Sequence, residues 1–78
     1  MLIEVTSHSE GKRKVLINTD YIVSAIRKEK GEYVETYDSG KSFIKYSEQL
    51  DNDATVLVMH DGSSFIIKET LEDILNET

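Results

Sequence analysis

Acid–base chemistry near neutral pH calls for histidine, and this chain of 78 residues has two, His8 and His60. His8 stands between Ser7 and Ser9, in outline a nucleophile beside a base. Sequence neighbours rarely meet with triad geometry, however, and no glycine frames either serine as a nucleophile elbow. The ordinary reading of His8 is a solvated loop histidine. His60 ends a strand pattern beside Asp61-Gly62, where an exposed, hydrogen-bonded imidazole is the usual outcome. Asp51-x-Asp53 opens like a calcium loop, but that loop needs Gly at its sixth position and Glu at its twelfth. Val56 and Gly62 stand there instead. The chain has no Cys, which excludes a thiolate zinc site, a thiol nucleophile and a disulfide scaffold together. Its four glycines (Gly11, Gly31, Gly40, Gly62) fall one per turn rather than gathering to cradle a phosphate. No catalytic residue, cofactor or metal ligand is expected, and no enzyme.

The aromatic residues are less ordinary. Tyr21, Tyr33, Tyr37, Phe43, Tyr46 and Phe65 are all six of them, and four fall within residues 33–46. On a small sheet such residues most often form core. The other reading is a contact surface, since Tyr is enriched where protein partners bind most tightly. Stacking of single-stranded bases is disfavoured, because Glu32, Glu35 and Asp38 interleave where Lys or Arg would be wanted. Tyr33, Tyr37, Phe43 and Tyr46 are therefore the candidate contacts for a protein partner or a second copy of the chain.

Alternation and turn chemistry place these residues on strands. Strand patterns cover Leu2–Thr6, Lys14–Ile17, Tyr21–Lys28, Tyr33–Tyr37, Ser42–Tyr46, Ala54–His60 and Ser64–Lys68. Within the third, Ile22, Ser24 and Ile26 should share one face. Asn18-Thr19-Asp20 reads as a polar corner. Asp61-Gly62 reads as a type I′ turn joining the clearest hairpin. Ser47-Glu48-Gln49-Leu50 could form one helical turn. The tail changes period: Leu71, Ile74 and Leu75 mark the apolar face of a short helix, with Thr70 as cap and Asp73 in the capping-box position. Two turns cannot stand alone, so this helix must dock on the sheet. Laid over each other at an offset of 22, Tyr33–Asn52 and Thr55–Ile74 share six identities, among them Val34 with Val56 and Gly40 with Gly62. A duplicated unit would produce that match, and so would the common chemistry of hairpins.

Charge narrows the partners. The net charge is −6, but residues 1–30 carry six bases against four acids while residues 31–78 carry three against eleven. Nucleic-acid binding needs a basic face. Lys12-Arg13-Lys14 is the one cluster, joined by Arg27, Lys28 and Lys30, and a short basic run is usually just solvated. No nucleic-acid binding is expected. A membrane helix needs about 20 apolar residues, and no apolar run here exceeds four, so no membrane insertion is expected. Met1-Leu-Ile-Glu-Val reads as a strand rather than a signal peptide, which with the absence of Cys points to the cytoplasm.

The two ends of the chain resemble the small FlbD-type flagellar protein family. Its pattern runs from an opening strand through Ile-Asn-x-Asp-x-Ile to a Thr-led apolar strand, Asp-Gly, a second apolar strand, Glu-Ser/Thr and a short helix. Ile17, Asn18, Asp20, Ile22 and Ile26 match the first part. Thr55, Val56, Leu57, Val58, Asp61, Gly62, Phe65, Ile66, Ile67, Glu69, Thr70, Leu71 and Ile74 match the second. The resemblance covers residues 1–27 and 54–76, and residues 28–53 look like an inserted hairpin that the short members lack. It implies a small cytoplasmic bacterial protein with no catalytic residues, and its name suggests a flagellar role. The strand–Gly–strand–helix ending is also similar to LytTR-type DNA-binding domains, whose function requires a basic face.

The sequence thus predicts one mainly β domain: a small, strongly bent antiparallel sheet or open barrel of six to seven strands, closed by a short C-terminal helix. Its expected role is that of a non-catalytic protein–protein interaction or adaptor module, homo-oligomeric in one version. The alternative is a nucleic-acid-binding or regulatory domain using the bases at 12–14 and 27–30.

Overall fold

The computed structural model describes residues 1–8, 13–38 and 44–77. The described residues form seven strands: β1 (Leu2–Thr6), β2 (Lys14–Asn18), β3 (Ile22–Lys28), β4 (Tyr33–Asp38), β5 (Ile44–Gln49), β6 (Ala54–Met59) and β7 (Ser64–Ile67). One helix, α1 (Leu71–Glu77), follows them. The mainly β fold with a C-terminal helix is as expected. All pairings are antiparallel, and the ladders fall into three sheets: β1–β2, β3–β6–β7 and β4–β5.

Period 2 along β6 explains how three sheets make one structure. Leu57 and, partly buried, Met59 face one cluster with Ile3, Val5, Ile17, Ile67 and Ile74. Ala54, Val56 and Val58 face the other, with Val34, Leu50 and Ile66. The β3–β6–β7 sheet is therefore a middle layer, covered by β1–β2 and α1 on one face and by the β4–β5 hairpin on the other. The hairpin at 28–53 belongs to the core, since Val34 and Leu50 are 4% and 2% exposed. Residues 28–53, although they look like an insertion, therefore contribute to the core through Val34 and Leu50.

Backbone bonds stitch the layers. Ser7 bridges Ile67, the His8 N–H donates to the Ile66 carbonyl at 2.9 Å, and the Lys68 N–H donates to the Thr6 carbonyl at 2.9 Å. Glu69 then clamps Thr6, accepting from its N–H at 2.7 Å and its hydroxyl at 2.9 Å. Thr55, fully buried, donates from Oγ1 to the Glu69 carbonyl at 2.7 Å.

Local chemistry formed where it was expected at three places. The Asn18 side chain accepts from the Asp20 N–H, opening a 3₁₀ turn over Thr19–Tyr21. Thr70 and Asp73 exchange bonds of 3.0 and 3.1 Å, the reciprocal capping box, here with Asp in place of Glu. Gly62 has φ +89° and ends the hairpin loop. That loop has three residues rather than two, because the Met59 N–H donates to the Ser63 carbonyl and the Gly62 N–H to the Met59 carbonyl.

Four expectations change. The register of β3 against β6 shifts between Ile22 and Ser24, a bulge that leaves Val23 67% exposed. The bulge reverses the alternation, so Ile22 and Ala25 pack on the same cluster while Ile26 is largely exposed. Ser47–Gln49 extend β5 instead of turning, because the burial of Val34 fixes β4 and its pairing carries β5 on to Gln49. In α1, Ile74 is buried and Leu71 half-buried, but Leu75 is 70% exposed, so the apolar face is narrower than its spacing. Finally, moving the Tyr33–Gln49 pair forward by 22 residues would set Thr55 opposite Leu71, whereas Thr55 pairs with Ile67. The two hairpins therefore differ in register, and hairpin chemistry accounts for the matching residues.

Candidate functional site

The β4–β5 hairpin carries three of the four candidate aromatics; Phe43 lies outside the described residues. Val34 and Leu50 anchor the hairpin from its inner side. Pairing sets the rest. Tyr33 is opposite Gln49, Glu35 opposite Ser47 and Tyr37 opposite Lys45, so these six share the outer face. Tyr33 is 73% and Tyr37 39% exposed. Tyr46 lies opposite Thr36 on the inner face, beyond the reach of the core, and is 52% exposed. The structure thus splits the candidates between the two faces, with none of the three buried.

Charge sits within the outer face. Lys45 Nζ lies 2.9 Å from Glu35 Oε1, and this bond and charge, with Tyr37 adding to them, hold the Lys45 amine above its ordinary value. Glu35 and Lys45 therefore satisfy each other between the two tyrosines.

Two grooves flank the hairpin. One, of about 530 Å³, runs between it and β1–β2 and is lined by Val5, Val15, Thr36, Tyr46, Glu48 and Phe65, among others. The other, of about 590 Å³, lies toward β3 and takes in Ile26, Tyr33, Tyr37 and Val58. The Tyr37 N–H donates to Ser64 Oγ at 3.0 Å, joining β4 to β7 where the grooves meet. Among the described residues, no strand pairs with the outer edge of either β4 or β5.

His8 is not a solvated loop residue. Its side chain is only 9% exposed, with Nε2 3.0 Å from Asp51 Oδ1 and Nδ1 3.6 Å from Glu48 Oε1. The bond of its own N–H to β7 carries the ring inward, toward β5 and the turn after it. Sequence reading missed this group because Glu48 and Asp51 stand forty and forty-three residues away, and no local spacing could flag it. His60 is exposed as expected, its ring 4.7 Å from that of Tyr21. Asp51 and Asp53 form no calcium loop; Asp53 instead accepts from the Lys30 N–H at 2.8 Å. Among the described residues, no three His, Asp or Glu side chains gather to hold a metal ion.

The described basic residues of the two runs stand at β2, on β3 and in the turn after it, with β2 and β3 in different sheets. Lys12 lies outside the described residues, and Arg13 and Lys14 are exposed, with Lys14 Nζ donating to Thr6 Oγ1 at 2.9 Å. Arg27 lies 3.9 Å from Asp53. No helix of the described residues is long and apolar enough to cross a membrane. Compared with protein-family models, curated proteins and solved structures, the chain finds no match.

Proposed function

We propose that this protein is a non-catalytic interaction or adaptor module whose contact surface is the β4–β5 hairpin. The observation that carries this reading is the exposure of Tyr33, Tyr37 and Tyr46 on a hairpin rooted in the core by Val34 and Leu50. Rigid aromatics give large contact area at low entropic cost, and Tyr is enriched in binding hot spots. Among the described residues no strand pairs with the outer edge of β5, which adds backbone groups to which a further strand could pair, whereas the β4 edge is already held to β7 through Tyr37 and Ser64. A cytoplasmic bacterial setting, and the flagellar one that the FlbD-type resemblance implies, belong to the same proposal.

The test is Tyr37→Ala with Tyr46→Ala, read by sedimentation of the chain alone and with its partner. Loss of association with an unchanged melting curve supports the reading, and unchanged association overturns it. Sedimentation of the chain alone separates a second copy from a different protein. The nucleic-acid reading rests on Lys12, Arg13, Lys14, Arg27, Lys28 and Lys30. The pairing of Arg27 with Asp53 and the charge of −6 speak against it. Micromolar duplex binding that weakens steeply with salt would reinstate it.

A further inference from the structure

The β4–β5 ladder decides which backbone groups of β5 face outward. The Leu50 N–H donates to the Glu32 carbonyl at 2.9 Å, and the Tyr37 N–H leaves the ladder for Ser64 Oγ at 3.0 Å. In an antiparallel pair, opposite residues exchange both bonds at every second position. Tyr33 stands opposite Gln49 and Tyr37 opposite Lys45, so the even-numbered residues are the ones bonded across the hairpin. The N–H and C=O groups of Lys45, Ser47 and Gln49 therefore point away from β4, at an edge where no described strand pairs. Edge strands are normally guarded by proline, by a bulge or by a projecting charge. β5 has neither Pro nor Gly, its register against β4 is unbroken, and its one base is held by Glu35 at 2.9 Å. The outer edge of β3 differs, since it carries the bulge at Val23 and an exposed Arg27.

We propose that this edge takes β5 of a second copy of the chain, antiparallel about a two-fold axis through Ser47. The proposal rests on the interaction reading above and names its partner. A two-fold perpendicular to the sheet sets outer face beside outer face and makes the contact self-complementary. Outward-pointing residues must meet outward-pointing residues, and this axis does so along the strand. Lys45 pairs with the second copy's Gln49, Ser47 with its own mate and Gln49 with the second copy's Lys45, each pair exchanging both bonds. Charge favours this place for self-association. The chain carries −6, which opposes the approach of two copies in general, but Ile44–Gln49 holds one base and one acid. No like charges stand opposite in this register. Lys45 faces an amide, and on the inner face Glu48 faces the second copy's Tyr46, whose hydroxyl donates to a carboxylate. Tyr46 is 52% exposed on the side of the hairpin turned toward the core, and the second copy's strand covers it.

The experiment is sedimentation equilibrium of the full chain up to about 1 mM, with backbone amide exchange followed by NMR at low and high concentration. Dimers should form, and the N–H groups of Lys45, Ser47 and Gln49 should become protected as they do. Those of Tyr46 and Glu48, bonded to β4, should be protected at every concentration. Ser47→Pro removes an outward N–H and no bond to β4, so it should weaken the dimer about tenfold or more. Ser47→Ala should leave the dimer unchanged. If Ser47→Pro fails to fold by circular dichroism, the exchange pattern of the wild-type chain carries the test. A chain still monomeric at about 1 mM overturns the proposal and leaves the interaction reading to its own test with a different protein. A dimer that survives in folded Ser47→Pro, or leaves Lys45, Ser47 and Gln49 unprotected, also overturns it. If that dimer is equally indifferent to Tyr37→Ala with Tyr46→Ala, the interaction reading falls with it.

Discussion

Leu50→Ala tests whether the β4–β5 hairpin is part of the core or an appendage to it. Leu50 is 2% exposed and packs with Val34, Ala54, Val56 and Ile66, so it touches the hairpin and the middle sheet together. Truncation removes three carbons, about 2.4 kcal/mol at ~0.8 kcal/mol per buried methylene. The cavity left behind raises the cost within the range of about 2–5 kcal/mol seen for such changes. A chain of this length has a total stability of roughly 4–12 kcal/mol, so one side chain carries a fifth or more of it. At ~4–8 °C per kcal/mol, the melting temperature should fall by about 10 °C or more. The assay has a built-in local probe. The protein has no Trp, and of its four tyrosines three (Tyr33, Tyr37, Tyr46) lie on the hairpin. Tyrosine fluorescence therefore reports the hairpin, while far-UV circular dichroism reports every strand. Both denaturation curves should shift together. A fluorescence transition that moves alone, with the dichroism curve in place, would refute the two-sided core and restore the hairpin as an independent unit.

Three further outcomes follow from local geometry. Gly62 has positive φ and no heavy atom within 4 Å of where a Cβ would stand, so Gly62→Val should cost ~1–2 kcal/mol from backbone strain alone. Gly62→Asn should cost less, and equal melting curves for the two variants would remove the strain argument. Thr70→Ala deletes one half of the capping box and should lower stability by ~1 kcal/mol in urea denaturation, whereas an unchanged midpoint would show that α1 does not depend on its cap. The Lys45 amine is raised above its usual 10.5 by Glu35, so the pair's contribution is complete below that value and fades as pH climbs through the raised one. In Glu35→Gln the Lys45 midpoint, followed by NMR, should drop back toward the ordinary value.

What was legible in the sequence was what is local. Asn18-Thr19-Asp20, Gly62 and Thr70 with Asp73 all act within four residues of themselves, and each does what its chemistry requires. The apolar faces were readable only where alternation was unbroken. Along β1 the rule holds, with Ile3 and Val5 buried between exposed Leu2 and Glu4. Along β3 a single unpaired residue, Val23, turns the rule over, and nothing in Ile22–Lys28 announces it. Leu75 follows the same logic, because a seven-residue helix covers only the width its neighbours leave. The tyrosines of the candidate surface were visible as a cluster, but their division between two faces depends on a register set by Val34. The group around His8 was invisible for the plainest reason: its members are close in space and remote along the chain.

The middle position of β6 has a consequence for how the chain fares when it is not folded. Ala54–Met59 is an uncharged stretch rich in β-branched residues, without Pro or Gly, the composition that stacks readily into cross-β aggregates. In the native state it is sealed, with β3 on one edge, β7 on the other and a layer over each face. The acidic residues Asp51 and Asp53 before it, and Asp61 after it, are placed as gatekeepers that keep two unfolded copies apart by repulsion. Their guard depends on ionisation and weakens in acid. Opening either outer layer bares one apolar face of β6 while its edges stay paired to β3 and β7, so the segment becomes free to join another chain only when the middle sheet itself parts, and low pH then removes its remaining protection.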